Sequence, residues 1–191
     1  MNQLIRLAET LSSSQIYGPG NRFVIWVQGC SLECPGCWNK DFWSTELGDS
    51  IDIEILLSEI LEAENIEGIT ILGGEPLEQP EVILKLIKSV KQNNLTVMLY
   101  TGYEENELDE TQLECVSLSD IVIMGRYESS LRNTNLRWRG SSNQEIKMNS
   151  NRYKDIEIEE REEVEITVSK DGKISVSGYP QRWLLKVLNE L

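Results

Sequence analysis

The chain has no histidine and only four cysteines, so the side chains that most often bind transition metals are scarce. Three of them, Cys30, Cys34 and Cys37, lie within eight residues, and no fourth cysteine is close to them in the sequence. Structural zinc sites use four Cys or His ligands, whereas a cubane iron-sulfur cluster bound by three thiolates keeps one iron free for a small molecule. The spacing therefore points to an open, reactive cluster.

Basic residues are also few, with 18 Lys and Arg against 32 Asp and Glu, and the formal net charge is -14. Such a charge would repel a phosphate backbone, so we do not expect a nucleic-acid partner. No apolar run approaches the roughly 20 residues that span a bilayer, and the first residues lack a signal peptide's apolar stretch. We therefore expect a cytoplasmic protein without a membrane partner, in which bunched cysteines bind metal rather than form disulfides.

Four apolar runs rich in β-branched and aromatic residues predict strands buried on both faces of a sheet, at residues 23–27, 69–72, 95–100 and 121–124. Helical patterns at 53–61, with Ser50 as a plausible N-cap, and from Pro80 onward separate them. This alternation predicts a parallel α/β sheet with right-handed crossovers. Composition alone allows a flavodoxin-like sheet as well as a barrel.

The pattern changes in residues 151–191, which we call the C-terminal extension. Alternating apolar residues on either side of Asp171-Gly172 predict an antiparallel hairpin, and a helix is predicted over 181–191. The length of 191 residues fits one domain by the usual range of about 100–200 residues per domain. We therefore expect a single domain, residues 1–191, that includes this extension.

The C-x3-C-x2-C spacing, together with the run Gly73-Gly74-Glu75-Pro76, resembles the radical S-adenosylmethionine (SAM) superfamily. Three further stretches make the chain similar to the activating enzymes of anaerobic ribonucleotide reductase, which generate glycyl radicals. These stretches are residues 29–39, 100–103 and 139–144, and they occur in that family's order. The landmarks cover residues from about 21 to 146.

The resemblance implies a fold, cofactors and site residues. The fold would be a partial (βα) barrel of mostly parallel strands, followed by the C-terminal hairpin and helix. The cofactors would be a 4Fe-4S cluster, bound by Cys30, Cys34 and Cys37 as catalytic metal ligands, and SAM. The residues implied to contact SAM are Gly36, Cys37, Trp38, Gly74, Glu75 and Arg126.

The residues themselves leave a plainer interpretation open at several of these positions. The cysteines could bind zinc with an Asp or Glu ligand, or be incidental buried thiols. Trp38 could be a core residue, and Gly-Gly-Glu-Pro a simple turn. Arg126 could be a solvated surface side chain, and nearby Met124 departs from the acidic residue common in the family. The isolated Cys115 is expected to be a small buried apolar residue.

The implied activity is that of an oxidoreductase working under anaerobic conditions. With an external low-potential electron donor, it would cleave SAM reductively and generate a glycyl radical on a partner anaerobic ribonucleotide reductase. Because the chain is short, we expect a protein-sized substrate to complete the walls of the site. The alternative is a stand-alone radical SAM enzyme that modifies a peptide or small metabolite, which Met124 and the C-terminal extension keep open. An electron-carrying ferredoxin is less favoured because it would need a fourth Cys ligand.

Overall fold

In the computed structural model, residues 3–168, 172, 174–179 and 182–188 are described. The strands are β1 (Leu4–Ser14), β2 (Arg22–Val27), β3 (Asp49–Asp52), β4 (Gly68–Gly73), β5 (Thr96–Thr101), β6 (Ile121–Met124), β7 (Glu145–Met148), β8 (Val164–Val168) and β9 (Ile174–Gly178). The helices are α1 (Ile53–Glu62), α2 (Pro80–Gln92), α3 (Glu110–Leu118) and α4 (Arg182–Leu188).

Seven strands form one mixed sheet in the order β3-β1-β2-β4-β5-β6-β7. The four central strands, β2, β4, β5 and β6, are parallel, and the outer strands pair antiparallel with their neighbours. From β2 onward, each of the parallel strands β4, β5 and β6 is added at the same edge of the sheet. The strand order therefore lacks the reversal that characterises doubly wound sheets. The α/β sheet with a parallel centre is therefore confirmed and the flavodoxin-like alternative is not, while a partial barrel remains a prediction.

The two faces of the sheet are covered differently. The helices α1, α2 and α3 pack on one face, where residues such as Leu56, Leu86 and Val116 join one core cluster with strand residues such as Ile71. On the other face a smaller cluster contains Met98, Trp138 and Tyr153, contributed by strands and by the chain after β6. Because the helices leave this second face to loops, a cavity can form there at the carboxyl ends of the strands.

Helix α1 begins two residues later than Ser50 would place it. Residues of β3 pair with β1, so the chain is still extended at Ser50, and Asp52 becomes the N-cap. Its Oδ1 atom accepts a hydrogen bond of 2.9 Å from the backbone N–H of Glu54. The predicted N-cap was therefore wrong, because residues 49–52 belong to a strand.

The C-terminal hairpin is confirmed as the separate two-stranded sheet β8–β9, in which Ile166 pairs with Val176. Asp171 of the predicted turn lies outside the described residues. The predicted last helix appears as α4, and residues 181 and 189–191 of that prediction lie outside the described part. None of the helices described in the structure is long and apolar enough to cross a membrane.

Candidate metal and cofactor site

The cysteine loop, residues 28–39, follows β2 at the carboxyl end of the parallel strands. Cys30, Cys34 and Cys37 are free and half-buried, and all three line one cavity of about 380 Å³. The ends of β4 and β5 line the same cavity through Gly74, Glu75 and other residues. Within the described residues, no three Cys, Asp or Glu side chains are gathered closely enough to hold a metal ion. The three predicted ligands therefore line one cavity, but they do not form a preassembled metal-binding group.

Backbone hydrogen bonds position the cysteine loop. Gly29 donates its N–H to the carbonyl of Phe42 at 2.8 Å, and Cys30 donates to the carbonyl of Trp43 at 3.0 Å. At the far end, the backbone of Gly36 has a φ of +83°, and a Cβ there would lie 2.9 Å from Cβ of Ser129. Glycine at position 36 therefore permits both the turn and the close approach of the chain after β6.

The electrostatic surroundings keep two of the thiols protonated. Burial raises the pKa of Cys30 to about 11, and the nearby Glu75 and Glu78 carboxylates act in the same direction. Burial also raises the pKa of Cys34. A thiol must lose its proton to bind a metal, and a bound metal supplies the positive charge that favours this loss. Three free thiols in one polar loop are a donor set that suits an iron-sulfur cluster.

Gly74 allows the end of β4 to touch the cysteine loop. A Cβ at Gly74 would lie 2.2 Å from the carbonyl oxygen of Gly29 and 3.0 Å from that of Phe42. The N–H groups of Gly74 and Glu75 donate to the carbonyls of Val27 and Gly29, each at 2.8 Å. Glycine at position 74 therefore allows two segments of the protein to pack closely. This requirement for glycine could not be read from the sequence.

Glu75 is a buried clamp between β4 and β5. Its carboxylate accepts hydrogen bonds from the N–H of Leu77 at 2.9 Å, the hydroxyl of Thr101 at 2.9 Å and the N–H of Gly102 at 2.8 Å. Burial raises its pKa to about 7, although these hydrogen bonds favour the charged form. A carboxylate has about four lone-pair sites, and these three donors use all but one of them.

Arg126 is close to the cavity without lining it, and it already has a partner. Its Nη2 atom is 2.8 Å from Oε1 of Glu107 in a two-pronged ion pair, and Nη1 donates to the carbonyl of Gly102 at 3.2 Å. It is not among the residues that line the cavity. The implied contact of Arg126 with SAM, for which the SAM carboxylate is the group of suitable charge, therefore remains a prediction. It requires Arg126 to exchange Glu107 for the ligand.

Trp38 is 57% exposed, so it is not a core residue. Its ring lines the cavity between two side chains distant in sequence. The guanidinium of Arg132 lies 4.5 Å from the ring centroid, and the ring of Tyr179 meets it edge-on at 5.6 Å. An exposed indole flanked in this way presents an aromatic surface to a ligand.

The segment 137–144 braces the end of β6. Gln144 accepts a hydrogen bond from the N–H of Gly140 at 2.8 Å and donates to the carbonyl of Gly125 at 3.0 Å. Arg137 pairs with Glu163 at 3.3 Å. Gly140 and Gln144 also line the cavity, so this segment contributes to the site.

Aromatic side chains are concentrated around the cavity. Four of the five tryptophans and four of the six tyrosines line it, namely Trp26, Trp38, Trp43, Trp138, Tyr17, Tyr100, Tyr127 and Tyr179. The indole N–H groups of Trp43 and Trp138 are buried without an acceptor among the described residues. The resemblance implied only Trp38 as an aromatic contact of SAM. Tyr100 lies in the stretch 100–103, and the other six aromatic residues lie outside the stretches that carry the resemblance.

Comparison with known proteins shows which family the chain resembles. Residues 16–147 match the model of a 4Fe-4S single cluster domain. The anaerobic ribonucleoside-triphosphate reductase-activating protein of Escherichia coli is 34% identical over 139 residues, 69% of this chain and 90% of that protein. The proteins of the same name from phage T4 and Haemophilus influenzae are 35% and 31% identical, over 71% and 69% of this chain and 88% and 90% of their own lengths.

Proposed function

The chain belongs to the family of anaerobic ribonucleoside-triphosphate reductase-activating proteins and has a 4Fe-4S single cluster domain, and we propose that it is a radical SAM oxidoreductase. Its substrate would be a glycine of a partner anaerobic ribonucleotide reductase. The observation that carries the proposal is that Cys30, Cys34 and Cys37 line one aromatic cavity at the carboxyl ends of the parallel strands. A cytoplasmic location remains a prediction.

In this proposal, the three cysteines hold a 4Fe-4S cluster as thiolates. Bound there, the cluster would supply one-electron reduction of SAM with an electron from an external low-potential donor, so that a C–S bond of SAM breaks to give methionine and a 5'-deoxyadenosyl radical. Transfer of a hydrogen atom from the partner's glycine to that radical would leave 5'-deoxyadenosine and a glycyl radical. Electrons and atoms then balance for one SAM and one external electron per activated glycine.

The protein's own residues would bind and orient the nucleoside. The exposed ring of Trp38 would offer the adenine a stacking surface, and the side chains of Trp43 and Trp138 line the same cavity. The remaining lone-pair site of Glu75 is an acceptor for the amino group of SAM. A cavity of about 380 Å³ lies in the usual range for small-ligand sites. The aromatic walls limit access of water to a reactive radical.

The test of the proposal is anaerobic reconstitution followed by reduction, addition of SAM and addition of the cognate reductase. We expect about four irons per chain, formation of 5'-deoxyadenosine, and a glycyl-radical doublet in electron paramagnetic resonance. Cys34→Ala should lose all three, while Cys115→Ala, buried among helices α2 and α3, should keep its iron. A fully loaded protein that makes no 5'-deoxyadenosine would refute the proposal, and tightly bound zinc in protein kept anaerobic would favour the zinc site.

A second candidate function is a stand-alone radical SAM enzyme that modifies a peptide or small metabolite. It is supported by Arg161, Glu163, Gly178 and Tyr179 of the C-terminal extension, which close one side of the cavity. A closed wall suits a substrate that fits inside. Turnover of such a substrate, together with no doublet on the cognate reductase, would favour this candidate over the first.

A further inference from the structure

The C-terminal extension reaches the cavity although it lies beyond the matched domain. The family match ends at residue 147, yet residues 161, 163, 178 and 179 all line the cavity with the cysteines. The wall that they form is therefore built from a part of the chain that the family model does not include. Its contacts show how it is held there.

Hydrogen bonds tie the extension to both sides of the cavity. On one side, Glu165 accepts from the hydroxyl of Ser14 at 2.5 Å and from the N–H of Gln15 at 3.1 Å, at the end of β1. On the other side, Glu162 accepts from the hydroxyl of Thr134 at 3.0 Å, and Arg137 pairs with Glu163. The anchors lie at the end of β1 and in the chain between β6 and β7, so the extension is held to two separate segments of the domain.

The backbone at Gly178 directs Tyr179 toward the cysteine loop. Gly178 has a φ of +91°, and a Cβ there would lie 2.2 Å from the carbonyl oxygen of Glu163. Tyr179 donates its N–H to the same carbonyl at 3.3 Å. The rings of Tyr179 and Trp38 then meet in a T-shaped contact. Trp38 directly follows Cys37 in the chain.

We propose that the C-terminal extension completes the nucleoside half of the cavity, and that Tyr179 is a positioning residue that holds Trp38 against a purine nucleoside. The ligand class is an adenosyl sulfonium or thioether, and this assignment rests on the proposed function. The Tyr179 ring, 5.6 Å from the Trp38 ring, and the Arg132 guanidinium, 4.5 Å from its centroid, together restrain an indole that is still 57% exposed. A ring held in place loses less conformational freedom when a purine stacks on it, so binding is tighter.

The extension also sets the width of this half of the cavity. Ile16 and Tyr17 line it from the loop after β1, and Gly178 lies against Ile16, with a virtual Cβ 3.1 Å from Ile16 Cδ1. Tyr17 is held from the same side, since its hydroxyl interacts with Ser177 and its pKa is raised by burial. Selectivity for a nucleoside-sized ligand thus depends on β9 staying against this loop.

The experiment measures binding of SAM and of S-adenosylhomocysteine, which cannot be cleaved in the same way, to anaerobically reconstituted full-length protein by equilibrium dialysis. We expect Tyr179→Ala to weaken both affinities by about threefold to tenfold, the range typical for loss of one aromatic pair. Tyr179→Phe keeps the ring edge and should bind as wild type does. Val168→Ala is the matched control, because Val168 lies on the same hairpin, is 64% exposed and is outside the cavity.

A double-mutant cycle separates positioning through Trp38 from a general loss of structure. In a Trp38→Ala background, Tyr179→Ala should have little further effect on affinity, whereas independent effects would multiply. Iron content should be equal in all variants. The inference would be overturned if Tyr179→Ala bound SAM within twofold of wild type, or if its effect were fully additive with that of Trp38→Ala. In either case, binding of SAM by the wild-type protein would leave the proposed function standing. Failure of wild-type protein to bind either nucleoside would overturn both.

Discussion

Replacing Gly74 with alanine would place a methyl carbon 2.2 Å from the carbonyl oxygen of Gly29. That distance is more than 1 Å short of an ordinary non-bonded contact of about 3.5 Å, and the neighbour is backbone rather than a movable side chain. The segment before Cys30 must therefore shift, or the hydrogen bond from Glu75 N–H to the Gly29 carbonyl must lengthen from 2.8 Å. The substitution acts on the cysteine loop itself.

Overpacking of this kind lowers the free energy of unfolding by about 1–3 kcal/mol. For a chain of this size, that corresponds to a decrease in Tm of roughly 2–12 °C. We also expect less iron to bind on reconstitution, because the Gly29 shift moves Cys30 relative to Cys34 and Cys37. The assays are thermal unfolding of the metal-free protein and iron content after anaerobic reconstitution.

Gly102→Ala is the matched control. A Cβ at Gly102 would meet Cδ1 of Leu32 at 2.5 Å, the end of a flexible side chain that can turn away. It should therefore lose less stability and less iron than Gly74→Ala. If Gly74→Ala keeps wild-type stability and iron content but loses SAM binding, then the glycine is required by the ligand, as the resemblance implies, and our account of this contact is refuted.

Three further predictions concern Glu75, Arg126 and α4. Burial raises the pKa of Glu75 from its usual value near 4.5 to about 7. The stability that the protonated side chain contributes is therefore fully present below about pH 4.5 and is lost as pH rises toward 7. The Tm of the metal-free protein should fall more steeply over this interval than that of Glu75→Gln, and parallel Tm profiles would contradict this. Glu107→Gln removes the charged partner of Arg126. If Arg126 binds the carboxylate of SAM, this variant should bind SAM more tightly, whereas unchanged affinity in dialysis would favour the interpretation of Arg126 as a surface side chain. We also expect α4, with its 62% exposed Trp183, to help bind the partner reductase. Truncation after Tyr179 removes α4 but keeps the cavity wall, so activation of the partner should fall more than SAM cleavage, and equal losses would argue against this role of α4.

The parallel centre of the fold could be predicted because its strands are buried on both faces. Residues 23–27 and 69–72 are continuous apolar runs, and they lie within β2 and β4. The strands β1, β3 and β7 were not predicted, since each has exposed or half-exposed residues and no clear alternation. Edge strands of this kind depend on their neighbours more than on their own sequence.

That Cys30, Cys34 and Cys37 share one cavity could be predicted from their spacing, because they are close together in the chain. Their role as cluster ligands stays a prediction. The roles of other residues depend on partners that are distant in the chain. Glu75 meets Thr101 and Gly102, Arg126 meets Glu107, and Trp38 meets Tyr179 at a separation of 141 residues. No periodicity or motif reports such contacts, so these roles required the tertiary structure.

The most direct test of the central claim is the yield of 5'-deoxyadenosine from reduced, reconstituted protein and SAM under anaerobic conditions, compared between wild type and Cys34→Ala. Wild type and Cys115→Ala should release 5'-deoxyadenosine with equal amounts of methionine, whereas Cys34→Ala should release neither. Equal product from wild type and Cys34→Ala, or none from fully loaded wild type, would contradict the assignment of this cavity as a radical SAM site.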